Sequence, residues 1–327
     1  MNKIITVVGP TASGKTSFAL QLAFQALNAP HNYRGVDLIS VDSRQVYRGL
    51  EILSGADIPE NFSLIETANF SYYKHQNLDI TLHGVCIINS NEEWSVIHFK
   101  DFATEVILDS FENNRLPILV GGTGLYHQHL FNTDSSLYIP PNMDVRRKAA
   151  NLSVSELGEW LFKIAPEALV QMSDSDVDNP RRLVRAIEKT VWRKRYFIHD
   201  IFFEELASKV SKGLLTTSEI VTLGLQMPLE LVKEKITKRV VQRIEQGAVS
   251  EVKNLVQKCK KNEAPVRSTL GVQEVFELLS GMITQEECQK KWALRELQYA
   301  KRQLTWFKKQ QNVTWLDDLQ KKQYTLR

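Results

Sequence analysis

The chain has 327 residues, 41 Lys+Arg against 38 Asp+Glu, and is 43% hydrophobic, which excludes a disordered or fibrous protein. No apolar run approaches the ~20 residues of a membrane-spanning helix, and Ile4–Val8 is too short for a secretory leader. Cys86, Cys259 and Cys288 are odd in number and far apart, which excludes a disulfide framework or a Cys-x-x-Cys zinc site and leads us to expect a soluble, cytoplasmic protein with no membrane partner.

Ile4–Val8 reads as a buried parallel strand. After a glycine-containing loop, Ala19, Leu22, Ala23 and Ala26 recur at i, i+3, i+4, i+7, which predicts one buried helical face. Val36–Val41 and Asp79–Ile88 are the next strand candidates. Phe99, Phe102, Ala103 and Val106 mark an amphipathic helix, and Pro117–Val120 a strand that ends in Gly121-Gly122. Alternating strands and helices predict an α/β domain on a parallel sheet, with ligands beyond the carboxyl ends of the strands. Arg146–Arg195 reads as helical with a break near Asp174–Pro180, Ile220–Met227 returns to the sheet, and helices dominate from Leu229 to Lys309. The expected organisation is a core over residues 1–137, a helical insertion over 138–200, and a return to the core followed by a basic helical part over 201–327.

Gly9-Pro10-Thr11-Ala12-Ser13-Gly14-Lys15-Thr16 matches G-x-x-x-x-G-K-[ST] between a strand and a helix, the context this motif requires. Such a loop aims backbone N–H groups and a helix N-terminus at phosphate oxygens. Lys15 adds a point charge, and the Thr16 hydroxyl is placed to hold magnesium (Mg2+). The motif indicates a polyphosphate without naming the reaction. By the same topology, Ser40-Val41-Asp42-Ser43-Arg44-Gln45-Val46-Tyr47 and Gly121-Gly122-Thr123-Gly124-Leu125-Tyr126 face that loop. A carboxylate at Asp42 can bind a metal, serve as a general base or cap a turn, and Thr123 offers a hydroxyl. His127 and His129 would diverge on a helix and are not expected to share a metal.

The ordered set GPTASGKT, SVDSRQVYRGL and VGGTGLY resembles the tRNA dimethylallyltransferase (tRNA isopentenyltransferase) family, bacterial type. Asp144-Val145-Arg146 resembles the family's P-x-V-R element, and Asn179-Pro180-Arg181-Arg182-Leu183-Val184-Arg185 its DPQRIIR helix start. Leu270-Gly271-Val272-Gln273-Glu274 resembles IGYKE, and Lys301–Phe307 matches KRQLTWF. The departures are Val272 in place of the family's tyrosine, Ser54–Pro59 where GTAKP would supply a lysine, and no TGKP-like pattern over 190–215.

The resemblance implies a P-loop NTPase-like core with a parallel sheet, a helical insertion and a helical C-terminal part. It implies transfer of a dimethylallyl group from dimethylallyl diphosphate to the exocyclic amine of an adenine. That adenine is position 37, just 3′ of the anticodon, in tRNAs reading U-starting codons. Gly9–Thr16 would hold the diphosphate, Lys15 and Arg146 would stabilise its charge, Asp42 would be the base, and Thr123 would position the amine. The implied partner is a tRNA anticodon stem-loop, bound by a monomer. Its expected contacts are Asp42, Ser43, Arg44, Gln45, Thr123 and Arg146 near the chemistry. Further contacts are expected at Arg181, Arg182 and Arg185, and along the last long helix at Lys301, Arg302, Gln303, Thr305, Trp306 and Lys308.

Charge agrees with a polyanionic partner. Residues 233–327 carry 20 Lys+Arg and 11 Asp+Glu, whereas residues 1–232 carry 21 and 27. On a helix over about Gln285–Lys309, Lys291, Arg295, Arg302 and Lys309 fall within about 40° of one another, predicting a basic stripe. Trp292, Tyr299 and Trp306 form the neighbouring stripe, in which Trp292 and Trp306 should pack inward. The competing readings are a P-loop kinase or adenylate prenyltransferase, which needs no basic C-terminal part, and a non-catalytic RNA-binding protein, against which intact Lys15, Thr16, Asp42 and Thr123 argue.

Overall fold

A computed structural model describes residues 2–28, 33–56, 58–67, 71–132, 135–195, 218–258 and 265–326. Asp57, Cys259, the 196–200 end of the expected insertion and most of the 190–215 stretch lie outside the described residues.

Two compact units are present, one formed by Met1–Leu130 with Leu214–Arg327 and the other by Phe131–Gly213. The first is built on an eight-stranded sheet: β1 (Asn2–Val8), β2 (Gly35–Ser40), β3 (Phe62–Glu66), β4 (Ser71–His75), β5 (Ile80–His83), β6 (Arg115–Val120), β7 (Ser218–Leu225) and β8 (Val313–Leu316). Their order across the sheet is β3-β4-β5-β2-β6-β1-β7-β8. The pairs β5·β2, β2·β6, β6·β1, β1·β7 and β7·β8 are parallel, and β3 and β4 add antiparallel pairs at one edge.

The central strands are apolar because both faces are covered; every residue of β2 is buried. Helix α1 (Lys15–Asn28) buries Ala19, Leu22, Ala23 and Ala26, as its periodicity predicted, and Phe18 with them. They pack on Ile5, Val7, Leu38, Ile118 and Leu223 of the sheet. The expected strand over Asp79–Ile88 is cut to β5 because Gly84 (φ 78°) and Cys86 (φ 53°) turn the chain out of the extended region. Short α2 (Glu51–Ser54) follows the second loop, and α3 (Val96–Glu112) and α4 (Gly124–Phe131) flank β6.

One polar cluster ties three parallel strands and α3 together. The Asp37 carboxylate accepts from Arg115 Nε (2.7 Å) and Nη2 (3.0 Å) and from Ser110 Oγ (2.9 Å), and lies 3.1 Å from His83 Nε2. Burial alone would raise its pKa, but the hydrogen bonds and charges of His83 and Arg115 reverse this and hold it at about 2. The carboxyl is therefore more acidic folded than unfolded. Its stabilisation is complete above the ordinary carboxylate pKa near 3.8 and is lost as pH falls towards about 2. Asp37→Asn should remove about 2 kcal/mol at pH 7 and much less at pH 2.5, read by urea unfolding at both values. An equal loss at both would mean the ionised form contributes nothing.

After the return to the sheet come α10 (Leu229–Gln246), α11 (Ala248–Lys258), α12 (Val272–Leu279), α13 (Gln285–Lys308) and α14 (Asp318–Gln323). Thr284 and Glu287 form a capping box that starts α13, satisfying N–H groups the helix leaves open. Helices α10 to α13 pack around a second core that includes Val46, Tyr47, Leu53, Val232, Ile236, Val240 and the fully buried Trp292.

The second unit holds α5 (Met143–Ala149), α6 (Val154–Ile164), α7 (Pro166–Val170), α8 (Asp174–Val177) and α9 (Pro180–Arg195). Its own core comprises Val145, Ala149, Leu157, Leu161, Leu183 and Ile187. The break expected near 174–180 is occupied by the one-turn α8. Among the described residues, no helix is long and apolar enough to cross a membrane.

Candidate active site

The phosphate loop leaves β1 and enters α1 as its motif requires. Gly14 has φ 83° and Ala12 φ 62°, so the loop turns through left-handed geometry that costs roughly 1–2 kcal/mol at a residue with a side chain. That turn carries the chain into the open first turn of α1, whose N–H groups are available to an anion. Lys15 Nζ donates to the Pro10 carbonyl (2.8 Å) and so lies over the loop. Thr16 occupies the first turn of α1 and is half-buried. Ser13 Oγ is buried and has no hydrogen-bond partner among the described residues.

The second loop is organised by Asp42. Its Oδ1 accepts from the backbone N–H of Arg44 (2.7 Å) and Gln45 (3.2 Å), an Asx turn that leaves Oδ2 without a hydrogen bond among the described residues. One carboxylate therefore both shapes the turn and presents a free oxygen. Gln45 is expected to touch RNA, but the structure gives its side chain inside: Ser40 Oγ donates to Oε1 (2.9 Å), and Nε2 donates to the Gly55 carbonyl (2.7 Å).

The third loop, after β6, is glycine-rich because it is crowded. A Cβ on Gly121 would strike the Val41 backbone of the second loop, one on Gly122 the Gln303 amide, and one on Gly124 the Trp306 ring. These approaches bring Thr123 to the same place as Asp42. Thr123 Oγ1 is buried, and its N–H bonds to the Val41 carbonyl (3.3 Å). The Tyr299 hydroxyl of α13 faces Thr123 and Gln303, but its contact with Thr123 falls short of hydrogen-bond geometry, which leaves Oγ1 unpartnered. A buried hydroxyl without a partner costs about 1–3 kcal/mol, and among the described residues Ser13 Oγ and Thr123 Oγ1 are two such hydroxyls, both on the loops that a polar ligand would meet.

Charge in the site is set by burial. Burial pushes the Tyr299 hydroxyl up to about 12, and the Asp42 carboxylate adds to the rise. Burial also raises Tyr126, which Arg44 opposes and Asp42 reinforces, so both phenols stay protonated. Burial drives His127 down to about 4, opposed by its bond to the Gly121 carbonyl (3.4 Å) and reinforced by the Lys15 charge. His127 is thus neutral behind the loop. Among the described residues no three His, Cys, Asp or Glu side chains gather as a metal cage.

Two elements of the site were not legible beforehand. Arg239 of α10 reaches the loops from the side, with Nη1 3.4 Å from Thr11 Oγ1 and Nη2 3.3 Å from the Gly55 carbonyl. Tyr299 reads as one ring of an aromatic stripe, yet its hydroxyl faces the loops. The period of α13 places both Tyr299 and Gln303 on one face, which is the signal that could have found them.

The basic residues divide into committed and displayed groups. Arg185 donates to the carbonyls of Ser136 (3.2 Å), Leu137 (3.4 Å) and Ile139 (2.6 Å) and to Glu188 (3.1 Å), so it braces the second unit rather than gripping phosphates. Arg146 bonds the buried Glu188 at 2.8 Å, and Arg182 pairs with Asp176. Glu188 is buried and accepts from Arg146 Nε, Arg185 Nη1 and the Asn142 N–H. On α13, Lys291 pairs with Glu277 and Arg295 with Glu274, which shortens the expected basic stripe. Gln303 is buried and bonded to loop backbone, so the structure does not display it to RNA. Arg181, Lys301, Arg302, Thr305 and Lys308 are exposed, with Arg302 over the Tyr299 ring at 5.7 Å. Trp292 is fully buried as expected, whereas Trp306 is half-buried against Gly124. Ser43 and Arg44 are half-buried beside Asp42.

The description of the IPP transferase family matches residues 45–310 of this chain. The chain belongs to the IPP transferase family. Among curated relatives, a tRNA dimethylallyltransferase of Dictyoglomus turgidum is 32% identical, over 96% of this chain and 87% of the relative. One from Halalkalibacterium halodurans is 33% identical, over 96% and 91%. Among solved structures, the full-length tRNA isopentenylpyrophosphate transferase of Bacillus halodurans superposes with a TM-score of 0.62 at 30% identity, covering 97% of this chain and 90% of that one. A eukaryotic dimethylallyltransferase acting on tRNA, at 22% identity, shares the fold with a TM-score of 0.66, over 98% of this chain and 75% of that one. The IPP transferase fold is thus the one the phosphate loop and parallel sheet predicted, and the family is a family of transferases.

Proposed function

We propose that this IPP transferase moves a dimethylallyl group from dimethylallyl diphosphate to the exocyclic amine of the adenine at position 37, 3′ to the anticodon, in tRNAs reading U-starting codons. The observation that carries the reading is the meeting of a phosphate loop with a free Asp42 oxygen and an unpartnered Thr123 hydroxyl. The relatives named tRNA dimethylallyltransferase support the substrates.

In this reading the bond from the prenyl carbon to the diphosphate oxygen breaks as the bond to the adenine nitrogen forms. Negative charge collects on the leaving diphosphate, where the loop N–H groups and Lys15 stabilise it. The amine is a weak nucleophile because its lone pair is shared with the ring. Asp42 Oδ2 takes its proton, and Thr123 Oγ1 fixes the nitrogen in place. Tyr126 and Tyr299, both protonated, close the wall without adding charge. The Thr16 hydroxyl, on the first turn of α1 beside the phosphate loop, would be the protein ligand of an Mg2+ ion accompanying the diphosphate. When bound, it would neutralise diphosphate charge. The target base must leave the anticodon stack to reach such a site. Exposed Arg181, Lys301, Arg302 and Lys308 are the phosphate contacts we assign, while Arg146 and Arg185 are held by Glu188 within the second unit. We infer a cytoplasmic monomer, a compartment that the separated cysteines suit.

The deciding experiment is mass spectrometry of nucleosides after incubating unmodified tRNA, and separately AMP, with the enzyme, Mg2+ and dimethylallyl diphosphate. A prenylated adenosine at position 37 in tRNA is expected, with none on AMP. Transfer to AMP alone would overturn the reading. For the RNA contacts, Arg181→Ala with Lys301→Ala should reduce the slope of log K against log salt by about 0.7–0.9 per lost contact. An unchanged slope would mean these charges only solvate the surface.

A further inference from the structure

We propose that Gln303 is a positioning residue: its side-chain amide straps the phosphate loop to the third loop and so sets the spacing between the diphosphate and the acceptor amine. The inference rests on the prenyltransfer reading for what the two loops hold, but the strap itself rests on geometry alone.

Gln303 lies on α13, far from both loops in sequence, and is 6% exposed. Its Oε1 accepts from the Thr11 backbone N–H at 2.8 Å, and its Nε2 donates to the Gly122 carbonyl at 3.0 Å. A planar amide with one end on each loop fixes their separation, because both bonds are short and the group between them is rigid. Glycine at 122 is what allows the approach, since any Cβ there would collide with the same amide. The geometry also orients the amide: swapping its ends would put nitrogen against the Thr11 N–H and oxygen against the Gly122 carbonyl, two mismatched pairs. One helical turn earlier, Tyr299 faces Gln303 and Thr123 on the same side. In the reaction, Thr11 belongs to the loop that receives the leaving group, and Gly122 precedes the hydroxyl that holds the nucleophile. A strap between them controls alignment, on which rate depends steeply.

The test uses the full chain with Gln303→Met, which keeps length and removes both bonds, and Gln303→Glu, which keeps the acceptor for Thr11 and sets an acceptor against Gly122. Three quantities are measured: deuterium uptake by peptides covering residues 9–13 and 119–124, affinity for inorganic pyrophosphate, and affinity for unmodified tRNA. In Gln303→Met, uptake should rise in both loops and nowhere else. Pyrophosphate binding should weaken by about 3- to 10-fold, the scale of one lost hydrogen bond, with tRNA affinity within twofold. In Gln303→Glu, uptake should rise at 119–124 but stay near wild type at 9–13. Loss of tRNA affinity with unchanged uptake and pyrophosphate binding would overturn the strap in favour of a direct RNA contact. Uniformly raised uptake would reduce Gln303 to a packing residue and overturn it equally. If wild-type protein fails to bind pyrophosphate, the prenyltransfer reading fails, while the uptake measurements still decide the strap.

Discussion

Asp42→Asn should leave tRNA and diphosphate bound and cut the single-turnover rate by about 10²- to 10⁴-fold, the range for a positioned acid or base. The change is well matched to the question. An amide keeps an oxygen that can accept from the Arg44 and Gln45 N–H groups, so the Asx turn survives. What disappears is the proton-accepting power of the second oxygen. Rapid-quench measurement with saturating tRNA reads chemistry directly. If Asp42 serves only the turn, the variant retains near-normal chemistry and near-normal stability, because Asn holds such a turn about as well as Asp. If it holds Mg2+, excess metal restores part of the rate. Near-wild-type single-turnover chemistry would sink the base assignment.

Lys15→Ala should reduce the same rate by at least about 10²-fold and weaken pyrophosphate binding, with tRNA affinity largely kept. Lys15 lies across the loop on the Pro10 carbonyl, within reach of any anion the loop N–H groups hold. Its charge is also felt by His127, which burial already keeps neutral, so no neighbouring imidazolium takes its place. Calorimetry with pyrophosphate and filter binding with tRNA separate the two ligands. Equal loss of both in a folded variant would contradict the assignment to the leaving group.

The three loops were legible because their chemistry is local. A phosphate loop must have glycine and lysine at fixed spacing, and crowded loops must have glycine, so Gly9–Thr16 and Gly121–Gly124 announce themselves. The face of α1 was equally plain, since burial of Ala19, Leu22, Ala23 and Ala26 follows the helical period. The strands β3, β4 and β8 went unread. All three are four or five residues long, β3 and β8 lie at the sheet edges, and β3 and β4 are largely exposed or half-buried, so no alternation survives. Side-chain roles set by distant partners were hidden for a different reason. Arg181 and Arg185 sit one turn apart on α9 with the same chemistry, yet only Arg185 meets Glu188 and three carbonyls. Lys291 and Arg295 were likewise claimed by acids of α12, a helix whose packing no spacing rule reveals.

The strap on the phosphate loop also carries a schedule. Thr11 and Gln303 are separated by 292 positions. At roughly 5–20 residues per second, about 15–60 s of synthesis pass between them. The motif that reads as a finished binding site is made first, and the group that ties it to the rest of the site is made almost last. During that interval the ribosome holds a chain whose loop can curl but cannot be spaced. Pyrophosphate binding by arrested nascent chains is therefore expected at full strength only once Gln303 is free to join the fold, and about 3- to 10-fold weaker before that.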